Sequence, residues 1–143
     1  MPRRENDPLS SYNFLVESGG VLRAGFNECT GLNSENDAID YREGNEDIVV
    51  RKLPGLKKFG NVTLKRGVSV GQDFFEWRKT VTDGDIDRRD ISIILLDEKR
   101  NEQVRYNLTA AWPVKWTGPE FKAGANEVAV ESLELVHEGV SLG

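Results

Sequence analysis

The chain has 143 residues, 38% of them hydrophobic and 30% charged, with a formal net charge of −5. A chain of this length makes about one domain, which buries roughly 68–70% of its unfolded surface and needs no staple to hold a core. The single cysteine, Cys29, excludes an internal disulfide and fits a reducing compartment, and no apolar run nears the roughly 18 residues of a membrane-spanning helix.

Residues 1–10 (MPRRENDPLS) are polar, charged and twice interrupted by proline. They read as a flexible arm, ordered only on binding, and they lack the apolar centre of a secretory signal. Tyr12–Ser18 and Val21–Glu28 flank Gly19-Gly20. Two short apolar-rich runs around such a pair predict a hairpin, because glycine takes the positive φ of a tight turn without strain. Thr30–Asp47 is acidic and rich in Asn and Gly. It predicts an extended loop over 30–47 with only a short strand-like centre at Ala38–Tyr41. Ile48–Lys52 and Asn61–Val70 read as strands, with Pro54-Gly55 as the turn between them.

Gln72–Val81 is the one convincing helix. Phe74, Trp77 and Val81 recur at helical spacing, and Asp73 at the start and Arg78 and Lys79 near the end suit the helix dipole. Arg89–Leu96 and Gln103–Ala110 predict a hairpin around the charged turn Asp97–Glu102. A loop with Trp112-Pro113, Trp116 and Gly118-Pro119 follows, and Glu127–Glu138 is a long last strand. Its alternation changes phase: Val128 and Val130 share one face, Leu133 and Leu135 the other. A bulge near Ser132, or a strand bending from one sheet into another, accounts for the change. Many short strands and one helix predict a mainly β barrel or sandwich.

No catalytic constellation is present. His137 is the only histidine and has no second ligand near it in sequence, so it reads as a packed or interface residue rather than a metal ligand. Cys29 reads as a small buried residue, since a cysteine nucleophile needs a nearby base. The carboxylates Asp37, Asp40, Glu43, Glu46 and Asp47 sit in polar sequence without EF-hand order, and the glycines at 55, 60 and 67 spell no Walker loop. No cofactor is implied.

The stretch "RKLPGLKKFGNVTLKRG" (Arg51–Gly67) holds six cations and no acid: Arg51, Lys52, Lys57, Lys58, Lys65 and Arg66. One explanation is a nucleic-acid-binding β-barrel module, with Phe59 stacking on a base; the acidic domain around it argues against that. The other is a surface that meets acidic groups on another protein.

The order of motifs resembles the tail-tube protein family of contractile injection systems and contractile phage tails, and more distantly the hemolysin-coregulated proteins of type VI secretion. The resemblance rests on "FLVESGGVLRAGFNECTGL" (Phe14–Leu32), "IDYREGN" (Ile39–Asn45), Arg51–Gly67, "FFEWRK" (Phe74–Lys79), "RRDISIILLDE" (Arg88–Glu98), "AAWPVKWTGPEF" (Ala110–Phe121) and "LELVHEG" (Leu133–Gly139). It covers nearly the whole chain and implies a compact β-barrel of two packed antiparallel sheets with one flanking α-helix. It implies a single tail-tube domain over 1–143 that works as a structural subunit without enzymatic activity. Six copies would form a ring, and rings would stack head to tail into the inner tube. The implied partners are further copies of the chain, a sheath protein, baseplate or tube-initiator proteins, and a cargo effector in the lumen (or DNA in a phage). The implied location is a contractile particle assembled from subunits made in the cytoplasm. In such a stack the acids Asp37, Asp40, Glu43, Glu46 and Asp47 of one subunit would face Lys57, Lys58, Lys65 and Arg66 of another, a heterologous contact that propagates without closing. The bland alternative is that both are solvated loops.

Overall fold

The computed structural model describes residues 9, 13–18, 22–24, 26–42, 44, 50–68, 73–124 and 128–143. The N-terminal arm apart from Leu9, the Gly19-Gly20 turn, and Glu43, Glu46 and Asp47 lie outside the described residues. Among those described, the elements run β1 (Phe14–Ser18), β2 (Leu22–Ala24), β3 (Glu28–Thr30), β4 (Glu35–Tyr41), β5 (Arg51–Lys58), β6 (Val62–Gly67), α1 (Asp73–Thr82), β7 (Arg89–Leu96), β8 (Glu102–Thr117), β9 (Val130–Val136) and β10 (Val140–Leu142).

The long strand β8 organises them. Its first part pairs with β7 on one side and β10 on the other, while Trp112–Thr117 pairs with β9. All the pairings are antiparallel, and the strand path runs β2-β1-β7-β8-β9-β6-β3. The two ends of the path, β2 and β3, do not pair with each other, so the sheets face one another without closing into a barrel. The change of sheet falls at Ala110, whose φ of 51° is left-handed. Asp90 holds it there: Oδ1 accepts the Ala110 N–H at 3.0 Å. The β7–β8 register shifts at the same place, between Arg89 and Ile91, as expected where a bulge re-aims a strand.

The core lies between the sheets. Val62, Leu108, Ala111, Leu133 and Leu135 are wholly buried, and Val16, Leu64, Ile91 and Ile93 nearly so. Helix α1 packs against β8 and adds Phe74 and Trp77 to the core. Trp77 is fully satisfied there. Its Nε1 donates to the Asp87 carbonyl at 2.7 Å, and the Arg89 guanidinium lies 4.7 Å from its ring centre.

The mainly β architecture, the helix and the 89–110 hairpin form as the sequence predicts. The Asp97–Glu102 turn is an Asx arrangement, in which Asp97 Oδ1 accepts from the Lys99 and Asn101 amides. Four expectations need correction. First, the strand that changes sheet is β8, not the last strand, and the predicted loop at Trp112–Trp116 is its continuation. Second, β9 runs in unbroken register along β6 from Val130 to Leu135, with no bulge at Ser132. The change of phase arises because an acid, Glu131, shares the buried face with Leu133 and Leu135. Third, Pro54-Gly55 lies inside β5 rather than at a turn. Pro54 is tolerated because, among the described strands, β5 pairs only with β4, leaving a side where no amide hydrogen is needed. Fourth, the strand expected at Ala38–Tyr41 in the acidic segment is longer, β4 starting at Glu35.

Emptying the Trp77 site should cost about 3–5 kcal/mol, the usual range for a large aromatic in a core. Urea unfolding of Trp77→Ala, followed by far-UV circular dichroism, measures it. A midpoint equal to wild type would mean that this helix face does not support the core.

Candidate assembly surface

Strands β4 and β5 form a separate two-stranded ribbon. Its root is pinned. Asn33 Oδ1 accepts the Gly60 amide at 2.6 Å, and His137 Nε2 donates to the Gly60 carbonyl at 3.0 Å while its ring packs on Phe59. A Cβ at Gly60 would stand 2.4 Å from the Asn33 side chain, so a larger residue would have to displace Asn33 from this bond. His137 is thus a packed residue that helps set where the ribbon leaves the body.

Beyond the root nearly every residue of the ribbon is exposed. Directly paired residues share a face, so Ile39 with Leu53 and Tyr41 with Arg51 lie on one side. Gly55 lies beneath them, its hydrogen facing the Ile39 side chain. The register slips by one residue between Ala38–Pro54 and Asn36–Lys57, so Lys57 joins Asn36 on the opposite side. The opposite side carries Ala38 with Pro54 and Asp40 with Lys52. Ile39, Tyr41 and Leu53 are 51%, 43% and 45% exposed, a large apolar cost for a ribbon that no other described element covers.

The acidic and basic segments therefore meet within one chain. Asp40 pairs with Lys52, and Asp37 with Lys58 at 2.9 Å, across the two strands. Lys65 pairs with Glu28 on the neighbouring strand at 3.6 Å. Arg66 is not a surface cation. It bonds Asp73 at the start of α1 and Glu131 Oε1 at 3.0 Å, and its guanidinium lies 3.9 Å from the Phe74 ring centre. Trp116 Nε1 donates to the second Glu131 oxygen at 3.2 Å. This clasp joins helix, β6, β8 and β9 around one buried carboxylate. Of the nine charged residues expected at an interface, Lys57 is the described one without an ion pair. Glu43, Glu46 and Asp47 are outside the described residues. Charge counting alone missed the apolar side chains Ile39, Leu53 and Leu56. The alternation of Ile39 and Tyr41 in "DAIDY", and the two leucines set among the cations of "RKLPGLKK", were the available signal.

Cys29 is unsuited to nucleophilic work. Burial pushes its thiol up to about 11, so little thiolate exists near neutrality.

The Arg66 hydrogen bond holds the Asp73 carboxyl below the usual carboxylate range, against the opposing effect of partial burial. A lowered folded pKa gives stability that is present above the unfolded value, near about 4, and lost as pH falls through the folded value. Wild type should therefore lose stability below about pH 4 more steeply than Asp73→Asn, measured as urea midpoints down the acid range. Parallel acid profiles for the two proteins would contradict the clasp.

Comparison with known proteins gives this geometry its context. The model of the family "T4-like virus tail tube protein gp19" matches residues 10–141. Among solved structures, a chain of the PVC sheath–tube complex, an extracellular contractile injection system in its extended state, has a TM-score of 0.87 at 29% identity over 97% of this chain and 93% of that one. A chain of the anti-feeding prophage cap, which terminates the tube of that prophage, has a TM-score of 0.87 at 30% identity, covering 100% of this chain and 95% of that one. Hcp1 from Flavobacterium johnsoniae has a TM-score of 0.59 at 16% identity, over 92% and 95% of the two chains, and shares the fold. No curated protein matches the chain significantly by sequence. With the family match running from residue 10 to residue 141, the chain belongs to the T4-like tail tube protein family.

Proposed function

We propose that the protein is the inner-tube subunit of a contractile injection particle. Copies close into six-membered rings, and the rings stack head to tail into a hollow tube inside a sheath. Sheath contraction drives the tube forward, with cargo in the lumen and a baseplate or initiator at one end. Synthesis in the cytoplasm and assembly into the particle belong to the same proposal. The work is mechanical, and no step turns over a substrate.

The observation that carries this reading is the whole-chain correspondence to a protein of a sheath–tube complex, 97% of this chain at a TM-score of 0.87. The surface supports it. A bare apolar ribbon and the unpaired sheet ends β2 and β3 are hazards in a solitary protein and are removed by neighbours. The charged residues fit the proposal in a modified form. Asp37, Asp40, Lys52 and Lys58 hold the register of the ribbon and cancel its charge, so copies approach without repulsion. Arg66 and Lys65 act within the subunit. The same pairing weakens the nucleic-acid alternative, because Lys52, Lys58, Lys65 and Arg66 already face carboxylates.

The purified chain should form rings and tubes on negative-stain grids, grow longer tubes as protein concentration rises, and show no retention on immobilised DNA or RNA. A protein that stays monomeric at every concentration while binding either nucleic acid would overturn the proposal.

A further inference from the structure

Between two apolar ends, the second sheet turns a polar face outward. At one end the ribbon leaves β6 through residues 59–61, and at the other Phe75, Trp116 and Phe121 line an open aromatic cleft. Successive side chains of a strand point to opposite faces. Cys29, Val62, Leu64, Leu133, Leu135 and Trp116 turn to the core, so the residues between them point away from it. Strand register lines these up in two rows across β3, β6, β9 and β8. Glu28, Lys65, Ser132 and Thr117 make one row, and Thr30, Thr63, Glu134 and Lys115 the other. Each row holds one acid, one cation and two hydroxyls, and in each the acid stands directly opposite the cation. Lys65 pairs with Glu28 at 3.6 Å. Glu134, opposite Lys115, accepts from Asn61 Nδ2 at 3.1 Å. The two rows sum to zero in a chain of net charge −5, so the excess of acid lies elsewhere.

The first sheet presents no such face. On its outward side Ile94 is wholly buried, and Leu96 and Glu17 nearly so. Arg105, opposite Ile94, reaches across β7 to Glu17 at 3.0 Å. We propose that the outward face of β3, β6, β9 and β8 after its corner is the lumen wall of the tube, and that the cargo it fits is protein rather than nucleic acid. The inference rests on the inner-tube proposal and names the class of its cargo. A wall along which cargo slides must be wetted and must not hold what passes. Neighbouring strands lie about 4.8 Å apart, so each charge is cancelled by its neighbour within the roughly 8 Å screening length of physiological salt. A phosphate backbone is held by cations that replace its counterions, and both cations here already face carboxylates. A protein surface of mixed charge meets instead paired charges and hydroxyls that donate or accept. Each such contact is weak, and no single sign of charge accumulates along the wall.

Thiol labelling tests the wall, in a Cys29→Ser background. Assembled tubes of Thr63→Cys should react with a small maleimide dye but not, except at tube ends, with a maleimide carried on an antibody-sized protein. Reaction with both along the tube would place the face outside, and reaction with neither would place it between copies; either result overturns the proposal. Protection tests the cargo class. Tubes assembled with a dye-labelled oligothymidine and a dye-labelled unfolded polypeptide of near-zero net charge should protect the polypeptide from protease about tenfold more than the oligonucleotide from nuclease. In tubes carrying Glu28→Lys with Glu134→Lys, doped with wild-type chain if they do not grow alone, that order should reverse. Equal or greater protection of the oligonucleotide by unaltered tubes, or an order that the charge variant does not move, would overturn the protein-cargo wall and leave the tube proposal standing. Failure of the unaltered chain to form rings or tubes under any condition would overturn both.

Discussion

A sixteen-residue strand is roughly 50 Å long when extended, more than a domain of this size is across. β8 therefore cannot remain in one flat sheet. It turns at Ala110, where a left-handed backbone and the Asp90 carboxylate fix the corner. One continuous strand then serves both sheets, with β7 and β10 before the corner and β9 after it. The core, the seat of α1 and the run of β9, β6 and β3 outward from β8 in the second sheet all follow from that corner. Pro113, fully buried just past it, is tolerated because this part of β8 pairs with β9 alone among the described strands.

The second sheet in turn holds apart two kinds of residue. Its inward face is a closed apolar core, tied to the helix by the Arg66–Glu131–Trp116 clasp. Removing one member of such a buried pair leaves an uncompensated charge, which is why the clasp belongs to folding. Its two ends carry exposed apolar surface, a bare ribbon and an open aromatic cleft. A two-stranded ribbon is marginal in water by itself. The separation lets the body fold without the neighbour and lets the neighbour complete the ribbon.

Much of this was legible in the sequence because period and pattern act locally. Phe74 and Trp77 mark the helix, the β-branched run at Ile91–Ile94 marks β7, and Asp97 marks its turn. The order of motifs points to the family. Elements were hidden where a tertiary contact overrides a local signal. Trp112-Pro113 reads as a loop because proline breaks most strands, and only an unpaired flank makes it acceptable. The phase change at residues 128–135 reads as a bulge because a buried acid looks like an outward position until Arg66 and Trp116 are brought to it. The charged stretches were legible as unusual, but not as partners of each other. The cross-strand register that matches Asp40 with Lys52 depends on Pro54 lying inside a strand.

The central claim is that the β4–β5 ribbon is completed only by assembly. Hydrogen exchange on amides of residues 35–41 and 51–58, compared between the dispersed subunit and the assembled particle, tests it most directly. The account predicts fast exchange in the subunit, strong protection in the assembly, and little change in β7 and β9, which the core already protects. Equal protection of the ribbon in both states would contradict it.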